Sequence, residues 1–194
     1  TASTTTGILI DGNRYSALER FVYDRQPDGD AGLDTRFAVW FQSSSEYSNY
    51  DFTKFLEPAK RQGLGNAYYP EIPIMRLSEI YYIACEAQIG KDNALALQYL
   101  NDVRDNRNLS LIQTVPDDAT LLEYLVREMR KDFIGDGRTF LMHKRLFYDI
   151  YTVRGETVPA SDNIFVIPIP DDEYEFSGIE KPGNTTDNNQ SELL

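Results

Sequence analysis

Residues 127–145 read REMRKDFIGDGRTFLMHKR, and this stretch decides the fold. Leu122, Leu125, Val126, Met129 and Phe133 recur at three- and four-residue intervals up to and through its start, which makes one apolar helical face. Glu123, Arg127, Arg130 and Lys131 are expected on the opposite, solvated side. The helix runs into Gly135-Asp136-Gly137, where two glycines permit a corner that side chains resist. A second basic helical segment then ends in Lys144-Arg145.

Working outward, helical character begins near Ile74. Gly90 followed by Asp92-Asn93 supplies a helix stop, a turn and a fresh N-cap, so 74–89 and 93–107 are predicted as an antiparallel helical hairpin. Ala84, Ala96, Leu100 and Val103 stand 12, 4 and 3 residues apart, the intervals of packing residues in a tetratricopeptide repeat. Pro116-Asp117-Asp118 opens a third helix with acids at its positive end. Residues 1–70 are irregular and loop-rich, although Arg36 to Gln42 (RFAVWFQ) is a strand candidate and Asp24 to Asp34 a loop. After Tyr151 come loop, a β-branched run from Ile164 to Ile169, and an acidic tail expected to be mobile from Gly183 to Gln190. The expected fold is mostly α: a TPR-type hairpin packed with further helices, an irregular N-terminal third, and a short C-terminal strand and loop region. The implied divisions are 1–70, 71–151 and 152–194.

Three blocks also carry a family resemblance. Arg127-Glu128, Arg130-Lys131-Asp132-Phe133, Gly135-Asp136-Gly137-Arg138 and Lys144-Arg145 form one. Ile72-Pro73-Ile74-Met75-Arg76-Leu77-Ser78-Glu79-Ile80-Tyr81-Tyr82-Ile83-Ala84 forms the second, and Phe165 to Glu173 (FVIPIPDDE) the third. In order and spacing they resemble the C-terminal portion of the SusD/RagB family of outer-membrane nutrient-binding lipoproteins. The resemblance implies a SusD-like α fold, non-catalytic binding of oligosaccharides at the cell surface, and delivery to a SusC-like TonB-dependent transporter in the outer membrane. It implies a lipid anchor only for a longer parent chain, and the absence of Met at Thr1 points to a processed or excised segment. The matched motifs read as scaffold, with Arg76–Glu79 and Glu128–Arg138 expected as internal ion pairs.

The 194 residues suffice for one domain with a core, and 41% hydrophobic content makes wholesale disorder a poor reading. Of the net charge of −12, most comes from residues 148–194, where ten acids face Arg154 and Lys181. That balance argues against nucleic acid as a partner. No apolar run is long enough to cross a membrane as a helix. Cys85, the lone thiol, reads as a small buried hydrophobe and leaves the redox compartment open.

Catalytic and metal chemistry find little support. His143 is the single histidine, read as a helix-surface or satisfied ring, and with one thiol it cannot assemble a common zinc site. Glu128 and Asp132 lie one turn apart among Arg127, Arg130 and Lys131, which suggests a salt-bridged face or structural ion pair rather than a glycosidase pair. No cofactor is expected, except that Asp24, Asp28, Asp30 and Asp34 offer oxygen ligands to calcium in a loop that reads otherwise as solvated. The chain is therefore expected not to be an enzyme.

Aromatics are the remaining resource: thirteen Tyr, ten Phe and one Trp, several of them in predicted loops. Sugar rings stack their C–H faces on flat aromatics and need polar groups beside them. WFQSSSEYSNYDF (40–52) offers both, which makes Trp40, Tyr47 and Tyr50 the candidate ligand-binding residues, with Phe52, Tyr68 and Tyr69 near them in kind. The competing reading places Trp40 and Phe41 in the core. Tyr81, Tyr82, Tyr99, Phe133, Phe140 and Phe147 are expected to be core. The alternative function is a helical-repeat protein-interaction scaffold without a glycan ligand.

Overall fold

Aspartates cap the starts of four helices. In a computed structural model that describes residues 8–23, 34–43, 50–55, 74–152 and 154–177, Asp11, Asp34, Asp92 and Asp117 each accept a backbone N–H from the first turn of the helix that follows. Such caps contribute about 1 kcal/mol each. The helices are α1 (Gly12–Leu18), which continues into a π-helical turn Glu19–Tyr23, α2 (Thr35–Trp40), α3 (Leu77–Gln88), α4 (Asn93–Asp105), α5 (Asp118–Asp132) and α6 (Arg138–Leu146). The chain forms two compact units, Thr1–Pro159 and Ala160–Leu194, and the second contains α7 (Asp162–Phe165) and α8 (Asp171–Ser177). Among the described residues no helix is long and apolar enough to cross a membrane.

The helical hairpin is α3 and α4. Gly90 ends the first turn region at φ +78°, and Asp92 caps the second helix through Leu95 N at 3.0 Å. Asn93 then accepts from Gly90 N at 2.9 Å and donates to Asp118 at 2.6 Å, which ties the hairpin to the start of α5. One core unites Tyr82, Cys85, Ala96, Leu100, Val103, Leu121, Leu125, Val126, Met129, Phe133 and Met142. Cys85 is an enclosed free thiol whose burial pushes its pKa up to about 12. Of the two small residues expected at the hairpin contact, Ala96 is fully buried and Ala84 half-buried; Cys85 fills the inward position on α3.

Several expectations need correction. Arg130 and Lys131 are buried rather than solvated, because α5 packs against other elements on more than its apolar face. Phe140 and Phe147 are 47% and 56% exposed, since α6 turns Met142 and His143 inward instead. Residues 36–40 of RFAVWFQ are helical: the Asp34 cap and the burial of Arg36 override the strand propensity of the run. Only its end, Phe41 and Gln42, enters a strand.

That strand belongs to a small antiparallel sheet of β1 (Ile8–Ile10), β2 (Phe41–Ser43) and β3 (Tyr50–Phe52), in the order β1-β3-β2. Phe41 pairs with Phe52 and Ser43 with Tyr50. The sheet covers a second core of Val22, Tyr23, Phe41 and Phe52, against which Tyr15, Phe37, Trp40 and Phe55 are half-buried. Gly135 joins this cluster to the corner after α5. Its φ is +77°, and a Cβ there would stand 2.7 Å from the Phe52 ring, so both backbone sign and space demand glycine.

A hairpin of β4 (Ile150–Tyr151) and β5 (Thr157–Val158) follows α6. The Ile164–Ile169 run forms no strand: its start lies in α7, and residues 166–170 are irregular up to α8. Pro168 and Pro170 lack the N–H groups that a ladder needs. The expected tail mobility from Gly183 to Gln190 concerns residues outside those described.

Candidate functional site

The frame of the candidate site is a buried ion network that fastens α2 to α5. Arg36, 2% exposed, donates through Nη2 to Asp34 at 2.6 Å and Glu128 at 2.7 Å, and through Nη1 to Asp132 at 3.0 Å. Arg104 and Lys131 reach the other Glu128 oxygen at 2.9 and 3.0 Å. The Tyr82 hydroxyl donates to Asp132 at 2.7 Å, and the Tyr23 hydroxyl to the Lys131 carbonyl at 3.2 Å. Three carboxylates thus meet three cations inside the protein, with hydroxyls closing the remaining valences.

This arrangement changes two expected pairings. Glu128 pairs with Arg36, Arg104 and Lys131, while Arg138 pairs with Glu79. Arg76 grips Asp136 of the glycine corner bidentately at 2.6 and 3.1 Å, rather than Glu79. Burial alone would raise the Glu128 pKa, but Lys131, Arg36 and Arg104 outweigh it and hold the carboxyl well below the usual carboxylate range. Asp132 is likewise raised by burial and lowered further by Arg36 and Arg107. Neither acid is then a proton donor near neutral pH, and their geometry is that of a clasp.

Of the three candidate ligand residues, the structure describes two. Tyr50 lies parallel to Tyr15, centroids 3.5 Å apart and planes 6° apart, at the start of the central strand β3. Tyr15 continues the aromatic contacts to Phe37 at 5.0 Å. Trp40, half-buried, has the Lys54 ammonium 4.6 Å from its ring centroid. Lys54 Nζ is held by the Asp132 and Ile134 carbonyls and by Asp136 at 3.0 Å, and burial pushes its pKa down to about 8. Trp40 and Tyr50 therefore flank one aromatic cluster, each with one neighbour already engaged. Phe52 is core. Tyr47, Tyr68 and Tyr69 lie outside the described residues.

Tyr15 is the residue that sequence reasoning missed. Nothing in GNRYSAL marks it, and only the pairing of β1 with β3 brings α1 beside Tyr50. Asp34 of the calcium-loop candidates spends both oxygens on Arg36; Asp24, Asp28 and Asp30 lie outside the described residues. Among the described residues no group of three His, Cys, Asp or Glu side chains is placed to hold a metal ion. His143 is buried, its Nδ1 3.3 Å from the Tyr148 carbonyl, and burial lowers its pKa so that the ring is neutral at pH 7.

Further concavities lie in the first unit. A groove of about 500 Å³ separates α3 from α6, walled by Ile83 and Leu141 and floored by Tyr82, Met129, Phe133 and Met142. Ion pairs Glu79–Arg138 and Glu86–Arg145 bridge it like two rungs seven residues apart on each helix, which makes the helices parallel. A more polar cavity of about 330 Å³ is lined by Val22, Glu123, Arg127, Arg130, Tyr151 and Thr157.

A solved SusD superfamily protein from Bacteroides thetaiotaomicron VPI-5482, determined at 1.49 Å, matches this chain with a TM-score of 0.56 and 23% identity. The match covers 88% of this chain and 39% of that one, so this chain spans well under half the length of the protein it resembles. At that identity the likeness establishes the fold. A search of curated proteins returned no match. A family model described as the SusD family matches residues 11–190, nearly the whole chain, and the protein belongs to the SusD family.

Proposed function

We propose that this chain belongs to a non-catalytic protein that binds oligosaccharides at the outer-membrane surface and passes them to a SusC-like TonB-dependent transporter. Family membership supports the class of function. The observation that carries a sugar site within this chain is the parallel Tyr15–Tyr50 pair, with Tyr15 and half-buried Trp40 packed against the same aromatic core. Half-buried flat rings offer the surface that sugar C–H faces need, and Gln42 and Ser43, both exposed, supply hydroxyl partners. Tyr47 remains a candidate on sequence grounds. The sequestration of Glu128 and Asp132 in the clasp favours binding over turnover.

The test is calorimetric titration of the folded chain with plant, host and microbial oligosaccharides, alongside Trp40→Ala and Tyr50→Ala. Saturable binding weakened roughly two- to tenfold by either substitution is expected. Binding indifferent to both would displace the site, and silence across the panel would sink the reading for this chain.

A second reading has its own observation. Leu77, Ile80 and Ile83 on α3 are 69%, 54% and 61% exposed, an apolar stripe at helical spacing beside the α3–α6 groove. Such a face suits a protein-interaction scaffold. Under that reading Ile80→Glu would abolish capture of a protein partner while leaving any glycan titration unchanged.

A further inference from the structure

We propose, on the sugar-binding reading above, that Lys54 is the positioning residue of the Trp40 platform. Its ammonium occupies one face of the indole, fixes the ring for a sugar that approaches elsewhere, and ties sugar affinity to the charge it carries. Short-range clamps build this arrangement. Thr53, directly after β3, donates its backbone N–H to the Trp40 carbonyl at 2.7 Å and its hydroxyl to the Val39 carbonyl at 2.8 Å. The end of β3 is thereby fastened to the end of α2, and Lys54 follows one residue on, its Nζ 4.6 Å from the Trp40 ring centroid. The Phe55 ring centroid is 5.5 Å from the same nitrogen.

The ammonium is anchored from the side of the glycine corner. The Asp132 and Ile134 carbonyls accept from it, and Asp136 pairs with it at 3.0 Å. These acceptors stand at and just beyond the C-terminal end of α5, where unpaired helix carbonyls favour a cation. Arg76 holds the same Asp136 carboxylate bidentately, so the corner itself is braced. The Lys54 side chain is 2% exposed.

A desolvated ammonium facing an indole is the strong form of a cation–π contact. A sugar cannot stack on the face that Lys54 covers and must use the rest of the half-buried ring. The ring is ordered before the ligand arrives, which lowers the cost of binding. Burial outweighs the pull of Asp136 and Asp132 and, with Arg76 adding to it, brings the Lys54 pKa down to about 8. The ammonium is therefore charged at pH 7 and mostly a neutral amine by about pH 9.5. The charged groups facing it are Asp132, Asp136 and Arg76, of carboxylate and guanidinium types that do not titrate over that span.

Trp40 is the single tryptophan of the chain, so intrinsic emission reports on this ring alone. The experiment scans that emission from about pH 6.5 to 9.5, either side of the Lys54 value, for wild type, Lys54→Arg and Lys54→Met, each checked for folding by circular dichroism. Calorimetric titrations with maltohexaose, cellohexaose, xylohexaose and mannohexaose are made at both ends of the range, with Trp40→Ala beside them. Wild-type emission is expected to change with a midpoint near pH 8. Lys54→Arg, whose guanidinium stays charged, should keep the low-pH spectrum, and Lys54→Met should show the high-pH spectrum throughout. Sugar affinity should fall roughly threefold from low to high pH in wild type and stay constant in Lys54→Arg. The wild-type pH scan needs no substitution, so it decides the matter even where Lys54→Met does not fold. Emission indifferent to pH, or sugar affinity equal at both ends, would overturn the role of Lys54, while binding lost in Trp40→Ala would still keep the platform. No sugar binding at either pH by a folded sample would overturn both.

Discussion

The seam between α2 and α5 buries six charged side chains, while the outer face of α3 leaves Leu77, Ile80 and Ile83 in solvent. The two regions invert the usual allocation of polar and apolar groups, and each does so for a different reason. Charges survive burial at the seam because each meets an opposite charge and further hydrogen bonds. The apolar stripe is stable in the open because the hairpin is already held from its other side, by Tyr82, Cys85, Ala96 and Leu100. The seam is therefore architecture, and the stripe is surface available for contact.

The comparison can be broken most forcefully at Arg36. Arg36→Met leaves Asp34, Glu128 and Asp132 buried without their shared cation, with an expected loss of about 3–5 kcal/mol in urea unfolding. A loss under about 1 kcal/mol would mean that the clasp is ornamental. Acid should act on the same seam. The folded Glu128 carboxyl sits well below its ordinary 4.5, so its contribution is complete above that value. It drains away as pH falls below about 4.5 towards the depressed folded value. Urea midpoints measured from about pH 6 downward should therefore decline below about pH 4.5, and Glu128→Gln should flatten the decline.

Smaller effects sharpen the contrast. Gly135→Ala forces a Cβ at positive φ against the Phe52 ring and should cost about 1–3 kcal/mol in thermal or urea unfolding. Gly137, also at positive φ but with nothing within 4 Å of an added methyl, should lose less on the same change. On the stripe, Ile80→Ser should move stability by about 0.5 kcal/mol or less. A larger loss would show that this face is packed in solution, for instance against a second copy, which sedimentation would reveal.

Much of the helical framework was legible along the chain. Gly90 with Asp92, and Pro116 with Asp117, mark helix boundaries locally, and their caps formed as read. The apolar period from Leu125 to Phe133 reached the core for the same reason. The reading failed where one residue's role depended on distant ones. Arg130 and Lys131 looked solvated because helical periodicity describes a single face. RFAVWFQ looked extended because propensity is silent about where Arg36 must go. Tyr50 was named as a sugar contact without its stacking partner Tyr15, 35 positions earlier in the chain.

The amino-acid order by itself determined the α3–α4 hairpin, the start of α5, and that a glycine corner follows α5, because capping and φ preferences act within a few residues. Only the tertiary structure decided which charges pair. Glu128 takes Lys131 from its own helix at 3.0 Å, yet Arg36 and Arg104, 92 and 24 positions away, hold it at 2.7 and 2.9 Å. An ion pair is chosen by proximity and desolvation after the elements have packed, and neither quantity is written in the spacing of a single helix.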